Sequence, residues 1–156
     1  MSNSVVIKNK IKEFNKKIFV SSDKSISIRW VLFASLADGI STAQNLLMSE
    51  DVLAAISAIK KLGIKVKINK NTCKIYGKGI NGYNYKRNLT INAKNSGTLG
   101  RLILGLLINT PNPIKLTGDH SLSKRDFKRI ADPLSNFGAN FKLRNKKNLP
   151  LIINGS

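Results

Sequence analysis

The sequence has few residues that carry redox or metal chemistry. It contains one cysteine and one histidine, Cys73 and His120, in 156 residues. A single cysteine excludes an intrachain disulfide and is typical of proteins in a reducing compartment. Cys73 lies in a short strand pattern that indicates packing, and His120 lies in a predicted loop. We therefore assign neither residue a metal-binding or chemical role.

Long apolar runs are also missing. The longest, LILGLLI at 102–108, is far shorter than the roughly 20 residues that a membrane-spanning helix needs. The N-terminal stretch MSNSVVIKNKIKEFNKK interleaves charged and apolar residues and contains no signal-peptide core. These features predict a cytoplasmic protein with no membrane partner.

Acidic residues are scarce relative to basic ones. Eight Asp and Glu face 27 Lys and Arg, which gives a net charge of +19. Such a charge raises the hypothesis of a basic module that binds RNA or another polyanion. The lysines are spread along the whole chain, however, and the few aromatic residues form no evident platform for base stacking. The pattern favours a solvated basic surface over nucleic-acid binding, which is kept as the alternative.

Two segments share one pattern at a constant offset. They are DVLAAISAIKKLGIKVKI from Asp51 and DFKRIADPLSNFGANFKL from Asp126. Each predicts an amphipathic helix, then Gly63 or Gly138 at a left-handed helix end, then an alternating strand. A second strand follows each, after a polar turn. The correspondence indicates a structural repeat.

The upstream halves correspond as well. SISIRWVLFASLADG and SGTLGRLILGLLINTP each predict a helix that begins in small polar residues and ends at Gly39 or Pro111. The stretches STAQNLL and PIKLTG then predict short strands. The sequence thus predicts an α/β fold of two helix-strand-helix-strand-strand units, with helices covering one face of each sheet. We predict an N-terminal strand segment at 1–21, a first unit at 22–87 and a second unit at 88–156.

The N-terminus of the first predicted helix is basic. Lys24 and Ser25 begin this helix, and Arg29 lies one turn after Ser25 on the same face. The unpaired N–H groups and the positive dipole at a helix N-terminus favour an anion. The segment therefore predicts a phosphate site; the alternative is a serine-capped surface helix with two solvated cations.

The N-terminus of the second unit's first helix has a similar character. We expect Asn95 to cap this helix, with Ser96, Gly97 and Thr98 in its first turn and the cation of Arg101 one turn further on. A glycine costs a helix roughly 1 kcal/mol relative to alanine. That cost is explained if a ligand approaches the backbone closely. The alternative is a well-capped helix with no ligand.

A third basic helix N-terminus follows at GDHSLSKRDF, where Lys124 and Arg125 precede the predicted helix at Asp126. Three such N-termini in one repeating domain together indicate a small, multiply anionic ligand. No two carboxylates have an evident acid/base arrangement. We therefore assign no catalytic residue in this chain.

These motifs resemble those of the 5-enolpyruvylshikimate-3-phosphate synthases (3-phosphoshikimate 1-carboxyvinyltransferases). The resemblance runs from about Phe19 to the C-terminus and is carried by DKSISIR, NLLMSEDV, NSGTLGR and LTGDHSLSKR. It implies an inside-out α/β barrel domain built from three such units. On that basis we expect the third unit and the second domain of the family to be absent from this chain.

The resemblance also implies a reaction and a set of site residues. The reaction is transfer of the enolpyruvyl group from phosphoenolpyruvate to shikimate 3-phosphate in chorismate biosynthesis, without a cofactor. By resemblance, Lys24, Ser25 and Arg29 would hold shikimate 3-phosphate. Lys24, Asn95, Gly97 and Arg125 would bind phosphoenolpyruvate, with Ser96, Thr98 and Arg101 in support. The carboxylates for proton transfer would lie outside this chain, so we expect it to be inactive alone and to be completed by another chain or by self-association.

Four residues depart from the family pattern. Ile28 stands where His or Asn is usual, Lys94 where Gly is usual, Gly100 where Met is usual and Asp126 where Pro is usual. Lys94 adds a cation beside the expected anion site. Asp126 would be expected to neutralise part of the charge of Arg125.

Overall fold

The computed structural model describes residues 20–156, together with Val6, Lys8 and Asn15. Almost all of the predicted N-terminal strand segment, 1–21, lies outside the described residues. Helices and strands are interspersed from residue 24 to residue 154. They are α1 (Lys24–Leu36), β1 (Asp38–Gln44), α2 (Glu50–Lys61), β2 (Lys65–Asn69), β3 (Thr72–Lys78), β4 (Leu89–Asn92), α3 (Gly97–Leu106), β5 (Ile114–Thr117), α4 (His120–Ser123), α5 (Lys128–Ser135), β6 (Asn140–Arg144) and β7 (Asn148–Asn154).

The predicted α/β repeat is confirmed by this order of elements. The first unit runs α1, β1, α2, β2, β3, and the second runs α3, β5, α5, β6, β7, preceded by β4 and interrupted by the short α4. Gly63 and Gly138, which follow α2 and α5, have φ values of +86° and +93°. Both therefore adopt the left-handed conformation that the repeat pattern predicted for the ends of these helices. The limits of the two units, 22–87 and 88–156, stay a prediction.

Each unit contributes one sheet. The first sheet has the strand order β1-β3-β2 and is antiparallel throughout. The second has the order β4-β5-β7-β6, in which β4 and β5 are parallel and the other pairs are antiparallel. Hence β1, β3 and β2 correspond to β5, β7 and β6, while β4 is an additional strand in the second sheet.

The core lies between the sheets and the longer helices. In α1, Ile28, Val31 and Leu32 are buried, and in α3, Leu99, Ile103 and Leu104 are fully buried. Helices α1 and α2 pack against each other, and α1 also contacts β3 and α3. This packing carries the N-termini of α1 and α3, where the sequence predicts anion binding. No helix within residues 20–156 is long and apolar enough to cross a membrane.

The predicted end of α1 is wrong by three residues. The helix ends at Leu36, with Ala37 as its C-cap, and Gly39 already belongs to β1. A Cβ at Gly77 on β3 would lie 2.2 Å from the Ala37 carbonyl oxygen. The close approach of α1 to a glycine on β3 therefore coincides with the end of the helix. Period-based sequence patterns do not reveal such a contact.

Candidate anion-binding site

Asp23 caps α1, and the sequence patterns did not assign it this role. Its carboxylate accepts a hydrogen bond of 2.6 Å from the Ile26 N–H. An aspartate in this position satisfies an unpaired donor and complements the positive end of the helix dipole. The serine-capped alternative is thus wrong for this helix, because Ser25 lies in the first turn and the capping group is Asp23.

Ser27 has a structural role behind the N-terminus of α1. It is buried, its hydroxyl donates to the Asp23 carbonyl oxygen at 2.7 Å, and the Leu47 N–H donates to that hydroxyl at 3.3 Å. These bonds attach the start of α1 to the loop that follows β1. Ile28 beside it is completely buried in the core, which explains why an apolar residue is tolerated where the family pattern has a polar one.

Lys24 forms an ion pair with Asp51 in the first turn of α2. The ammonium and carboxylate groups are 2.8 Å apart, and the Lys24 side chain is 52% exposed. The Asp51 side chain is only 18% exposed, so this is a partly buried pair and not a freely solvated one. An anionic ligand that takes up Lys24 must therefore offset the loss of a cation beside the Asp51 carboxylate.

Arg29 lies on the exposed side of α1 and faces α3. With Leu32, Phe33, Leu102 and Leu106 it lines a cavity of about 120 Å³ between the two helices. Ser25, one turn earlier on α1, is half-buried. Arg29 and Ser25 thus lie on one helix as predicted, and Arg29 is the residue of this pair that reaches the groove between the units.

Ser96 caps α3, so the prediction that Asn95 caps it is wrong. The Ser96 hydroxyl accepts a hydrogen bond of 3.3 Å from the Leu99 N–H, and its side chain is almost fully buried. The Asn95 side chain is exposed and its amide instead donates to the Asp119 carboxylate at 2.6 Å. Asn95 is therefore free of the capping role, and Asp119 fixes the position of its amide.

The guanidinium groups of Arg101 and Arg125 converge on Gly97, the first residue of α3. A Cβ atom placed on Gly97 would lie 3.0 Å from Nη1 of Arg101 and 2.8 Å from Nη1 of Arg125. Two cations this close repel each other. An anion between them would remove the repulsion and receive charge-assisted hydrogen bonds as well as N–H donors from the helix N-terminus. Thr98, the next residue of α3, is half-buried.

The backbone that carries Arg125 is held in place by Asn148. The Asn148 side chain is 8% exposed, and its amide donates to the carbonyl oxygens of Lys124 and Arg125 at 3.0 and 3.1 Å. The Arg125 N–H in turn donates to the Leu122 carbonyl oxygen at 3.1 Å. No sequence signal distinguished Asn148 from the other polar residues of its turn, so its role was missed.

Asp119 connects the two loops that meet at this site. Its carboxylate accepts hydrogen bonds from the Leu122 N–H at 2.7 Å and from Asn95, and its own N–H donates to the Lys94 carbonyl oxygen at 2.8 Å. The Leu122 N–H, followed by the Asn95 amide, holds the pKa of Asp119 below its usual value, and the charge of Arg125 acts in the same direction. Asp119 therefore stays ionised at neutral pH and ties Asn95 to the segment that leads to Arg125.

Two departures from the family pattern have a local explanation. Lys94 has a φ of +54°, in the left-handed region where glycine is favoured, and its N–H donates to the Asn92 side-chain oxygen at 2.8 Å. The Asp126 carboxylate accepts a hydrogen bond of 2.8 Å from the Lys128 N–H at the start of α5. Its observed partner is thus the helix N-terminus, and not Arg125 as expected.

The candidate site offers groups that bind an anion. The guanidinium groups of Arg101 and Arg125 and the N–H donors at the start of α3 lie close to Gly97. Within residues 20–156, no group of three or more His, Cys, Asp or Glu side chains is arranged to hold a metal ion. Asp51 is paired with Lys24, and Asp119 with Asn95 and Leu122. We therefore assign these two carboxylates positioning and pairing roles, and no proton transfer.

Comparison with known proteins identifies one family. The family model described as EPSP synthase (3-phosphoshikimate 1-carboxyvinyltransferase) matches residues 8–156. The 3-phosphoshikimate 1-carboxyvinyltransferase of Syntrophomonas wolfei subsp. wolfei is 38% identical over 151 residues, which cover 96% of this chain and 35% of that protein. The protein of the same name from Sulfurihydrogenibium sp. is 41% identical over 147 residues, covering 94% of this chain and 34% of that protein.

The fold comparison agrees. The 2.37 Å structure of EPSP synthase from Acinetobacter baumannii superposes with a TM-score of 0.82 at 34% sequence identity. The match covers 90% of this chain and 32% of that one. The chain thus spans about a third of the length of the relatives it matches.

Proposed function

The chain belongs to the EPSP synthase family, and we propose that it supplies part of the substrate site of an enzyme that transfers the enolpyruvyl group of phosphoenolpyruvate to shikimate 3-phosphate. Because the chain spans 35% of the Syntrophomonas relative, the proposal assigns substrate binding to this chain and turnover to a longer assembly. The observation that carries the proposal is the convergence of Arg101 and Arg125 on Gly97.

Phosphoenolpyruvate is assigned to the N-terminus of α3. The phosphate or carboxylate group would lie between the Arg101 and Arg125 guanidinium groups, which the missing side chain of Gly97 allows to approach the helix N-terminus. Guanidinium groups suit such anions because their N–H donors match two oxygens at once. The Asn95 amide, which Asp119 fixes at 2.6 Å, adds a neutral donor, and Ser96, Thr98 and Arg101 support the helix N-terminus.

Shikimate 3-phosphate is assigned to the N-terminus of α1. The Ser25 hydroxyl and the Arg29 guanidinium lie one turn apart on the same helix face and would bind its phosphate group. Lys24, whose side chain is 52% exposed, is assigned to both ligands. Arg29 also lines the groove between α1 and α3, which supports the assignment of the two substrates to neighbouring positions.

The proposed reaction needs a general acid and a general base in addition to anion binding. The 5-hydroxyl oxygen of shikimate 3-phosphate adds to C2 of phosphoenolpyruvate, the hydroxyl proton leaves, and C3 gains a proton. The resulting tetrahedral intermediate then releases phosphate as C3 loses a proton and the double bond re-forms. Asp51 and Asp119 are already paired, so we place the general acid and base in the longer assembly.

An exposed apolar face supports the proposal of a complementing polypeptide. Ile26 and Phe33 on α1 are 68% and 65% exposed, and Leu102 on α3 is 36% exposed. Large apolar side chains on neighbouring helices are typical of a surface that another chain covers. We assign this face to the polypeptide that relatives carry beyond the matched third, with self-association as the competing outcome.

Calorimetric titration with shikimate 3-phosphate tests the proposal, at an ionic strength that screens loose surface charge. We expect one site per chain in the wild type. Arg29→Ala is expected to lower the affinity by about tenfold or more, because a hydrogen bond to a charged group contributes about 1.5–3 kcal/mol. Lys142→Ala removes an equal charge from an exposed position on β6 and is expected to change little. Equal losses in both variants would contradict the assignment of Arg29.

Binding of a polyanion such as RNA is a second candidate, favoured by one observation. On the outer face of the first sheet, the Lys65 and Lys67 amines lie 5.1 and 6.0 Å from the centre of the Tyr76 ring. Lys67 is directly opposite Lys74 in the strand register, and like charges in that arrangement are unfavourable without a counter-ion. Binding of single-stranded RNA that weakens steeply with salt and is lost on substitution of Lys67 and Lys74 would support this role; RNA binding unchanged by these substitutions would contradict it.

A further inference from the structure

Phe127 is buried beside the two arginines of the site, although it has no group that binds an anion. Its side chain is 0% exposed, and it lies two residues after Arg125 as the residue that precedes α5. The guanidinium carbon of Arg101 is 5.7 Å from the centre of its ring. That distance is within the range of about 6 Å over which an aromatic face attracts a cation. The ring therefore limits where the Arg101 guanidinium can lie.

Gly100 allows the Phe127 ring to reach this position. A Cβ atom on Gly100 would lie 3.3 Å from Cζ and 3.4 Å from Cε1 of Phe127. Both distances are tighter than ordinary van der Waals contact, so the ring packs against bare backbone of α3. The Phe127 N–H also donates to the Lys147 carbonyl oxygen at 2.7 Å. The ring thus fixes the distance between α3 and the segment that carries Arg125.

We propose that Phe127 is a positioning residue that sets the separation of the Arg101 and Arg125 guanidinium groups over Gly97. Its ring attracts the Arg101 guanidinium group. Its backbone hydrogen bond to Lys147 holds the segment that carries Arg125, two residues earlier. Holding the two cations in place before an anion arrives reduces the conformational entropy lost on binding. The inference rests on the proposed function, because the separation matters only if an anion binds between the arginines.

The test compares variants of the full chain, with inorganic phosphate as the probe in calorimetric titrations. Phe127→Leu keeps an apolar side chain and removes the aromatic face. We expect it to weaken phosphate binding about three- to tenfold, since cation–π contacts at partly exposed sites are modest. Gly100→Ala keeps the aromatic ring but displaces it, and we expect a loss in the same direction. Phe141→Leu, a similar change at a half-buried position on β6, serves as the control and is expected to bind as the wild type does.

A second readout tests the position of Arg101 without any ligand. A side chain held over an aromatic ring has upfield-shifted proton resonances, so the Arg101 side-chain protons should show this shift in the wild type and lose it in Phe127→Leu. Unchanged Arg101 resonances in a folded Phe127→Leu protein would overturn the proposal. So would phosphate affinity equal to that of the wild type. Absence of phosphate binding in the wild type would count against the proposed anion site itself, whereas unchanged Arg101 resonances would count against the role of Phe127 alone.

Discussion

Gly97 is the residue on which the geometry of the anion site depends most directly. Gly97→Ala would place a methyl group within about 3 Å of both guanidinium groups, so at least one of them must move. We expect phosphoenolpyruvate affinity to fall about tenfold, while stability is kept or slightly raised because alanine favours helices over glycine by up to about 1 kcal/mol. Calorimetric titration and urea unfolding measure the two effects.

Gly105 provides the matched control for this prediction. It lies on the same helix, is exposed, and a Cβ there would meet no atom within 4 Å. Gly105→Ala should therefore raise stability by about 1 kcal/mol without changing ligand affinity. A loss of affinity equal to that of Gly97→Ala would mean that helix stability, and not space at the N-terminus, controls binding.

Lys94 is the residue with the clearest backbone strain near the site. A left-handed conformation costs a non-glycine residue roughly 1–2 kcal/mol, and a glycine at this position would avoid that cost. Glycine also loses more conformational entropy on folding, which reduces the gain in stability by about 0.5–1 kcal/mol. Lys94→Gly should therefore raise the free energy of unfolding by up to about 1 kcal/mol. Lys94→Ala removes the same charge but keeps the strain, and should give no such gain. Equal urea midpoints for the two variants would contradict this account.

At the residue scale, sequence patterns pointed to the cations and the glycine of the candidate site but not to the residues that hold them in place. Arg101, Arg125 and Gly97 were singled out because they lie in segments whose composition predicts a helix N-terminus, and their binding roles stay a prediction. In the structure Arg125 lies between α4 and α5, two residues before Phe127, the N-cap of α5. Asp119 and Asn148 were not singled out, because their roles depend on loops far apart in sequence: Asn95 is 24 residues from Asp119, and Asn148 is 23 from Arg125. The sequence does not distinguish a polar residue that faces water from one that forms a hydrogen bond with a residue far away in the chain.

At the scale of elements, Asp119 connects the loop before α3 to the short α4 through hydrogen bonds from Asn95 and Leu122. The folded state lowers the Asp119 pKa, so its carboxylate favours folding at pH values above its unfolded pKa. That contribution is lost as the pH falls through the folded pKa. We therefore expect Asp119→Asn to be less stable than the wild type at about pH 6, and the difference to shrink toward about pH 3. A difference that stays constant over this range, measured by urea unfolding, would exclude Asp119 as its source.

The elements themselves were largely predictable, since apolar periodicity separates helices from strands. The order helix-strand-helix-strand-strand and the glycines after α2 and α5 follow from local pattern alone. The four-residue α4 was missed because one turn of helix has no period to detect. Strand pairing was not predicted, because it depends on packing between elements that are far apart in the sequence. The parallel pairing of β4 with β5 is one example.

At the scale of the whole molecule, we propose that the anion-binding cations lie in this chain and that the proton-transfer groups lie in the longer assembly. We expect this chain alone to release no phosphate when both substrates are supplied, because Asp51 and Asp119 are engaged in pairing. A colorimetric phosphate assay measures this. Steady phosphate release that requires both substrates would contradict the division of roles.

An NMR titration of the full chain with shikimate 3-phosphate, followed by phosphoenolpyruvate, shows whether the N-termini of α1 and α3 bind the substrate anions. We expect saturable backbone amide shifts that cluster at residues 24–29 and 95–101, with smaller changes at Asp119 and Arg125. Shifts confined to the outer face of the first sheet, around Lys67 and Tyr76, or no shifts at saturating ligand in a folded chain, would contradict this expectation.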